Sequence, residues 1–279
     1  MKTCVSSYSF SKLYGKNFTF FDAVAKAKEM GFDAIEFAGL DCGEQSPVEY
    51  AKALAAEAKK RNIEIAALCV YADFLKENRA EAIARVKIMV DAAAAMGAGI
   101  LRHDASGGDG RAFANVLPIL ADACREITEY AQKKNVRTAV ENHGFFCQDS
   151  HRLEALYGAV AHPNFGLLTD VGNFLCADED PAAAVGITAP FTFHAHVKDF
   201  HKKPGGGFDP GDGFFKSRNG NFLRGAVIGH GDVPVLHCLR ALKRAGYDGY
   251  VTIEYEGIED TLWAIRTGLE NLKRMLILL

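Results

Sequence analysis

The fold is indicated by four stretches of sequence: TAVEN (138–142), LLTDVGN (167–173), HAHVKD (194–199) and TIEYEG (252–257). In each of them a short apolar run, as long as a β-strand, ends at charged or polar side chains. Four similar runs precede them, at residues 3–7, 34–37, 65–70 and 99–102. Between the runs, apolar residues recur every three or four positions, as they do on one face of a helix. Strand and helix therefore alternate along the chain, which predicts parallel strands joined by crossover helices.

Eight such units predict an α/β fold, a single (β/α)8 TIM barrel that spans residues 1–279. A complete barrel of this kind needs about 250 residues, and the chain has 279. A doubly wound open sheet is the alternative, but no glycine-rich phosphate fingerprint follows the first run. Residues 199–224 are rich in Gly, Asp, Lys and Phe and have no clear period. We expect this segment to be a long active-site loop, because loops of that length inside a domain are usually functional.

The composition limits the class of protein and its partners. Hydrophobic residues make up 49% and charged residues 24%, and the formal net charge is -3, which is unlike the basic surface of a nucleic-acid-binding protein. Seven scattered cysteines without a CxxC pair are typical of reduced thiols in a cytosol. We therefore expect a cytoplasmic protein without a membrane or nucleic-acid partner. A homodimer and a homotetramer both stay open.

A metal site is predicted at the ends of the last four strands, because active sites of (β/α)8 barrels form at the C-terminal ends of the strands. Period-two alternation lets four side chains point into the barrel there: Glu141, Asp170, His196 and Glu254. Three converging carboxylates would repel one another, and a divalent cation removes that repulsion. Carboxylates with one imidazole and no thiolate favour Mn2+ or Mg2+ over structural Zn2+. We predict one divalent cation, Mn2+ first, with Mg2+, Co2+ or Zn2+ as alternatives.

The order of the motifs carries a resemblance to a known family. The set VENHG (140–144), TDVGN (169–173), HVKDF (196–200), IGHGDVP (228–234) and TIEYEG (252–257) is similar to the xylose-isomerase-like TIM-barrel superfamily. Within it, the set resembles the sugar phosphate isomerase/epimerase group. The resemblance covers essentially the whole chain and is strongest from residue 138 to residue 256.

The resemblance implies roles for the residues that match the family motifs. The four side chains named above become the metal ligands, and Glu141 and Glu254 become the acid/base pair. Three positions of this chain depart from the ketohexose 3-epimerases of the group. Those enzymes have a histidine, a glutamate and an arginine there, and this chain has Asn173, Cys147 and Lys202 in their place. These departures argue against a free ketohexose as the substrate.

Further polar side chains near the expected mouth of the barrel are candidates for substrate binding. They are His103, His143, Asn173, Lys198, His201, Arg224 and His230. Each also has a structural interpretation; Lys198, for example, could pair with a neighbouring carboxylate such as Asp199 or Glu256. We interpret His194, which lies deeper on its strand, as a hydrogen-bonded core residue, and Glu36 as a buried partner for a neighbouring strand.

The leading functional hypothesis is a metal-dependent isomerase or epimerase of carbohydrate metabolism. It would move a proton next to the carbonyl of a sugar or sugar phosphate, through an enediolate. A metal-dependent dehydratase or lyase acting on an inosose-like or keto-sugar substrate is the alternative, because the same residues could also expel water. An endonuclease IV-like phosphodiesterase needs three metals and additional histidines. A non-catalytic sugar-binding barrel would be expected to have lost one of the ligands, and all four are present.

Overall fold

The computed structural model describes residues 1–15 and 17–279. The strands of this part of the chain are β1 (Lys2–Ser6), β2 (Ala34–Ala38), β3 (Glu64–Val70), β4 (Ile100–His103), β5 (Arg137–Glu141), β6 (Phe165–Asp170), β7 (Thr192–Val197), β8 (Asp199–Lys203), β9 (Phe215–Lys216), β10 (Phe222–Ala226) and β11 (Tyr250–Ile253). The α-helices are α1 (Phe20–Met30), α2 (Pro47–Lys60), α3 (Arg79–Met96), α4 (Phe113–Gln132), α5 (Ser150–Val160), α6 (Pro181–Thr188), α7 (Val235–Arg244) and α8 (Thr261–Ile277). In these described ranges, no helix is both long enough and apolar enough to cross a membrane.

Strands β1–β7 and β11 pair in parallel and close into a barrel, with a helix after each strand. The predicted (β/α)8 fold is confirmed. The seam that closes the barrel joins the first strand to the last, with Lys2 opposite Tyr250. Beyond β1, the hydroxyl of Ser9 donates to the carbonyl of Ile253 and accepts from the backbone N–H of Tyr255. The chain segment after the first strand therefore holds the last strand in place.

Helix α1 illustrates how the local sequence sets the element boundaries. The Thr19 hydroxyl accepts from the backbone N–H of Asp22, and the Asp22 carboxylate accepts from the backbone N–H of Thr19. This reciprocal pair satisfies two N–H groups at the start of the helix. The helix ends at Gly31, whose φ of +86° lies in the left-handed region that glycine adopts without strain.

The barrel interior changes in character along its axis. Small and apolar side chains fill the layers nearer the N-terminal ends of the strands, among them Cys4, Ala34, Ala66, Ala67 and Ala139. Toward the C-terminal ends the buried inward positions become polar, with Glu36, Arg102, His194 and His196. Larger aliphatic side chains lie on the opposite face of the strands, packed beneath the helices. The interior is thus dry and close-packed at one end and charged at the other.

Residues 199–226 leave the barrel between β7 and α7 and form an antiparallel sheet in the order β8-β10-β9. From the sequence we predicted an irregular loop at residues 199–224. The difference arises because β8 reads DFHKK, without an apolar alternation, and is specified by pairing with β10 instead of by its own pattern. We call residues 199–226 the inserted sheet.

One carboxylate fastens the inserted sheet to the barrel. Asp178, which follows β6, accepts hydrogen bonds from the Ser217 hydroxyl at 2.7 Å, the Asn219 backbone N–H at 2.6 Å and the Asn221 side-chain amide at 2.7 Å. Burial alone would raise the pKa of Asp178, but these hydrogen bonds outweigh it and lower the pKa. The anionic form is therefore the one that holds the turn between β9 and β10.

We expect Asp178→Ala to loosen the inserted sheet while leaving the barrel folded. The loss of hydrogen bonds to a charged acceptor costs about 1–3 kcal/mol of local stability, which increases the fraction of time for which the segment is open to protease. The measurement is the initial rate of tryptic cleavage after Lys216 and Arg218. Asp212→Ala, at an exposed carboxylate of the same segment, is the control. Equal cleavage rates for Asp178→Ala and the control would contradict this role.

Candidate metal centre and substrate cavity

Four side chains converge at the C-terminal end of the barrel. His196 Nδ1 lies 3.8 Å from Glu141 Oε1, 3.8 Å from Asp170 Oδ2 and 3.8 Å from Glu254 Oε2. The ligand atoms of all four residues lie within 4.8 Å of one another. The structure therefore brings together the four side chains that the sequence predicts as metal ligands.

Two atoms of this cluster have no hydrogen-bond partner although they are buried. They are Asp170 Oδ2 and His196 Nδ1, and both point toward the shared centre of the cluster. The other oxygen of the same carboxylate, Asp170 Oδ1, accepts from the backbone N–H groups of Gly172 and Asn173. Leaving buried polar atoms unpaired is costly, and a divalent cation would satisfy both. The donor set thus fits a metal ion.

The imidazole of His196 is oriented from behind by Glu36. Glu36 Oε2 lies 2.8 Å from Nε2 of His196 and 2.8 Å from Nε2 of His194, and all three side chains are buried. A carboxylate accepts, so Nε2 of His196 carries a proton and Nδ1 faces the cluster. Burial alone would lower the pKa of His196, but the Glu36 carboxylate raises it well above its ordinary value, so a cation bound at Nδ1 would take the place of a second proton. A carboxylate behind a ligating histidine fixes both the tautomer and the ring orientation. His194 is a hydrogen-bonded interior residue, as the sequence indicated.

Two buried cations hold the glutamates of the cluster. Arg102 Nη2 lies 2.6 Å from Glu141 Oε2 and 2.9 Å from Asp104 Oδ1. Lys198 Nζ lies 2.6 Å from Glu254 Oε2. Burial alone would lower the pKa of each cation, but the neighbouring carboxylates raise both above their ordinary values. Both side chains are therefore charged. Burial alone would raise the pKa of Glu254, but Lys198 lowers it well below its ordinary value.

Asp170 has no such partner at close range. Burial, together with repulsion from Glu141 and Glu254, raises the pKa of Asp170 to about 6, against the opposing attraction of Lys198. The Lys198 ammonium is 3.8 Å away, farther than from Glu254. The cluster is thus an excess of negative charge with an open centre, which is the electrostatic requirement of a cation site.

A cavity of about 340 Å³ opens above the cluster. Its floor includes Arg102, Glu141, His196 and Glu254. Two tyrosines, Tyr8 and Tyr71, lie at its edge with 42% and 63% of their surface exposed. Further wall residues are Asp104, His143, Lys198 and Glu256, together with Ala38, Gly39, Cys69 and Val70. The volume is within the range of about 300–1,000 Å³ that small-molecule sites occupy.

Three of the predicted substrate-binding residues lie at or directly behind this cavity. His143 and Lys198 line it, and His143 Nδ1 is 3.0 Å from Asp104 Oδ1. Asn173 is buried behind Glu141, to which its amide donates at 3.0 Å, and its carbonyl oxygen accepts from Lys198 at 3.4 Å. Asn173 thus positions two site residues and is not itself part of the wall.

The other four predicted residues are placed away from the cavity. His103 is completely buried and packs edge-on to Phe74, because it faces the helices while its neighbour Arg102 faces inward. Burial lowers the pKa of His103 to about 4. His201 and Arg224 are opposite each other in the inserted sheet. His230 is exposed, with its ring centroid 6.4 Å from that of Trp263. In the described part of the chain, the expected active-site loop 199–224 contributes no residue to the cavity wall.

Sequence reasoning missed Arg102, Asp104, Tyr8 and Tyr71 as cavity residues. A signal for Arg102 was available in the alternation of the strand. Neighbouring residues of a strand face opposite sides, so Arg102 faces into the barrel if His103 faces the helices. The two tyrosines carried no comparable signal. They follow the first and third strands in segments without regular periodicity.

Comparisons with known proteins agree with this geometry. The family model described as xylose isomerase-like TIM barrel matches residues 24–275. Among curated proteins, no sequence matches the chain. A probable 3-DHS dehydratase, AsbF, involved in petrobactin synthesis in Bacillus anthracis, superposes with a TM-score of 0.77 at 20% identity, over 98% of this chain and 99% of that one.

Two further solved structures have the same fold. The 3-keto-D-glucoside 4-epimerase YcjR from E. coli superposes with a TM-score of 0.74 at 17% identity, over 98% of this chain and 99% of that one. The IOLI protein, whose structure has a bound zinc atom, superposes with a TM-score of 0.77 at 18% identity, over 99% and 98% of the two chains. At these identities the likeness establishes the fold alone.

We expect a divalent cation to stabilise the protein and Asp170→Asn to abolish that effect. A cation at about 100 times its Kd adds about 2.7 kcal/mol of stability, or a rise of about 5–10 °C in Tm for a chain of this size. The measurement is the melting temperature with EDTA and with added Mn2+, Mg2+ or Zn2+.

Glu259→Gln is the control, because Glu259 bonds to Tyr255 and lies outside both the cavity and the cluster of four. Its response to metal should equal that of the parent. An Asp170→Asn variant that gains the same stability from metal as the parent would show that the cluster is not the metal site.

Proposed function

The chain belongs to the xylose isomerase-like TIM barrel family, and from that premise we propose that it is a divalent-metal-dependent isomerase or epimerase of a sugar or sugar phosphate. The observation that carries the proposal is the shared position of two features. The cluster with two unpaired buried atoms forms the floor of a cavity, and two glutamates, each held by its own cation, belong to that floor.

The metal would be held by Glu141, Asp170, His196 and Glu254. When bound there, a divalent cation supplies Lewis-acid polarisation of a carbonyl group. We propose Mn2+ as the first candidate, since three carboxylates and one imidazole form an oxygen-rich set without a soft ligand. The buried positions of Glu36 and Arg102 mean that the ligand side chains are oriented by the protein itself.

The proton transfer is assigned to Glu141 and Glu254. One glutamate accepts the proton from the carbon next to the carbonyl, and the other delivers a proton to the same carbon from the opposite face or to the neighbouring carbon. Glu141 ends β5 and Glu254 follows β11, and these strands are separated in the barrel by β6 and β7. The two carboxylates therefore approach the space between them from different sides, as epimerisation requires.

A dehydratase is the second candidate, and the position of Lys198 favours it. Its ammonium lies between Glu254, at 2.6 Å, and Glu256, at 3.5 Å, and it lines the cavity. A glutamate could remove the proton next to the carbonyl while Lys198 gives a proton to the departing hydroxyl group, which leaves as water. The product would be an unsaturated carbonyl compound, so its ultraviolet absorbance distinguishes this reaction from epimerisation.

We expect the compartment to be the cytoplasm and the partner to be a small molecule. All seven cysteines are free thiols, which is typical of a reducing compartment. The cavity has room for one small polar ligand, and its walls are polar side chains and two tyrosines.

The proposal is tested by wash-in of deuterium from D2O with the Mn2+-loaded protein and a panel of ketoses, ketose phosphates and inososes. Removal of either base should lower the exchange rate by about 10²–10⁴-fold, the usual contribution of general acid–base catalysis. With Glu254→Gln, residual exchange should occur on one face of the carbon, because Glu141 remains. With Glu141→Gln, it should occur on the other face.

Glu259→Gln is the control, since Glu259 bonds to Tyr255 outside the cavity and should exchange like the parent. Metal content is measured for every variant, so that a lost cation is not mistaken for a lost base. If both glutamine variants exchange the same face, the two-base mechanism is wrong and the single-base dehydratase replaces it.

A further inference from the structure

The charges around the cavity bear on whether the substrate carries a phosphate group. Resting on the function proposed above, we propose that the substrate is an uncharged, unphosphorylated polyhydroxy carbonyl compound whose ring contacts Tyr8 and Tyr71. The proposal depends on three features of the described residues: the pairing of the cations in the cavity, the occupation of the backbone sites where barrels bind phosphate, and the polar groups left for hydroxyls.

Both cations of the cavity are already neutralised. Arg102 is paired with Glu141 at 2.6 Å and Asp104 at 2.9 Å. Lys198 is paired with Glu254 at 2.6 Å and has Glu256 at 3.5 Å. Each cation thus faces two carboxylates, and a phosphate could bind either one only by displacing a buried carboxylate from it.

Carboxylates outnumber the buried cations at the site. Among the described side chains at the cavity and its floor, five carboxylates stand against the two cations; they are Asp104, Glu141, Asp170, Glu254 and Glu256. A divalent cation reduces this excess to one negative charge when the histidines are neutral. A phosphate monoester would add a charge of about -1.5 to -2 at pH 7, and like charges in a buried site repel strongly.

The backbone site where (β/α)8 barrels bind phosphate is filled by a side chain of this protein. Such sites form in the loops after the seventh and eighth barrel strands, where N–H groups converge. Here the Asp199 carboxylate accepts from the N–H groups of Gly229 at 2.9 Å, Gly231 at 2.9 Å and Val233 at 3.1 Å. Asp199 is almost completely buried. A carboxyl group of the protein itself therefore takes the donors that a phosphate group would need.

Three of the helix starts at this end of the barrel are occupied in the same way. Asp260 accepts from Trp263 N at the start of α8, and Asp180 accepts from Ala183 N at the start of α6. At the start of α5, the backbone N–H of Ser150 is bonded to Glu179. A helix N-terminus attracts anions through its free N–H groups, and these three helices present carboxylates there.

The basic side chains of the inserted sheet do not change this balance. Arg218 is bound to Asp149 at 3.1 Å, and Arg224 lies 3.7 Å from Glu259. Neither belongs to the residues that line the cavity. The basic residues in this segment therefore do not supply the cavity with a phosphate site.

What the cavity does offer suits hydroxyl groups. A hydroxyl both donates and accepts, and a carboxylate beside a cation or an imidazole provides both functions at one place. Asp104 with His143, and Glu256 with Lys198, are two such pairs on the cavity wall. Tyr8 and Tyr71 expose ring surface at its edge, where the C–H face of a sugar ring can be buried.

The experiment compares matched substrates on the Mn2+-loaded protein. The pairs are D-xylulose with D-xylulose 5-phosphate, D-ribulose with D-ribulose 5-phosphate, and D-erythrulose with D-erythrulose 4-phosphate. The readouts are the rate of deuterium wash-in and the Kd from calorimetry for each compound. We expect kcat/KM for the neutral member to exceed that for its phosphate by at least about 100-fold, because of the negative charge of the site.

A charge variant tests the physical cause. Glu256→Gln removes one negative charge and frees one side of Lys198, so the preference for the neutral member should fall by at least about tenfold, since one charge–charge interaction over about 12 Å at an effective dielectric constant near 20 is already worth a factor of about ten. Glu259→Gln, outside the cavity, is the matched control and should leave the preference unchanged. A preference that does not move in Glu256→Gln would show that charge is not what excludes phosphate.

The outcomes separate this inference from the proposed function. Faster exchange or tighter binding of the phosphorylated members overturns the inference and leaves the isomerase or epimerase proposal standing. Exchange with neither member of any pair counts against the proposed function. In that case the inference is decided by calorimetry with inorganic phosphate on Asp170→Asn, which keeps phosphate off the metal. A Kd below about 1 mM would overturn the inference, and the absence of binding would support it.

Discussion

The arrangement on which the rest of this structure depends is the approach of three carboxylates to one imidazole nitrogen inside the barrel. Buried charges cost several kcal/mol each unless they are paired, so the neighbouring strands are equipped to balance them. Arg102 on β4 holds Glu141, Lys198 after β7 holds Glu254, and Glu36 on β2 holds His196 from behind. These contacts leave two open atoms at the centre, where a divalent cation would complete the balance.

The same constraint explains why the interior of the barrel is divided. If the interior were apolar and close-packed along its whole length, it would have no room for Arg102, Lys198 and Glu36, the charged residues that balance the cluster. The apolar cluster around Ala67 and Ala139 also contains Cys69, Ile100 and Leu168, and the charged side chains of Arg102 and Glu36 reach the metal-ligand cluster itself. The largest hydrophobic cluster lies between the strands and the helices. Because this cluster provides most of the buried apolar surface, the C-terminal end of the barrel interior can be polar.

Much of the fold and the centre of the site could be predicted, because both depend on local sequence patterns, namely apolar runs and their alternation. The runs that end at Glu141, Asp170 and His196 match β5, β6 and β7 to within two residues, since apolar strands of a parallel barrel are bounded by turns. Alternation also placed the ligands on one face. The residues that surround the ligands were harder. Arg102 and His103 are adjacent, and an error of one residue in the assumed register of the strand reverses which of them faces the cavity.

The remaining features depend on contacts between distant parts of the chain, which a local pattern does not encode. Asp199 could be read as a mouth residue, but its bonds to Gly229 and Gly231 are set by the path of the inserted sheet. The inserted sheet could not be predicted from the sequence, because β8 carries few apolar residues and pairs with β10 through the backbone. His230 was expected in the mouth for the same reason, although its turn faces α8.

The closing seam has a consequence for the way in which the protein is made. β1 pairs with β11 as well as with β2, so one edge of the first strand stays open until Tyr250 and its neighbours have been synthesised. At typical rates of about 5–20 residues per second, the nascent barrel waits on the order of ten seconds or more with that edge exposed. Closure, and with it the final position of Glu254, is therefore a late event that follows release of the last strand from the ribosome. Until then, the strand–helix units that form first must stay soluble without the last strand.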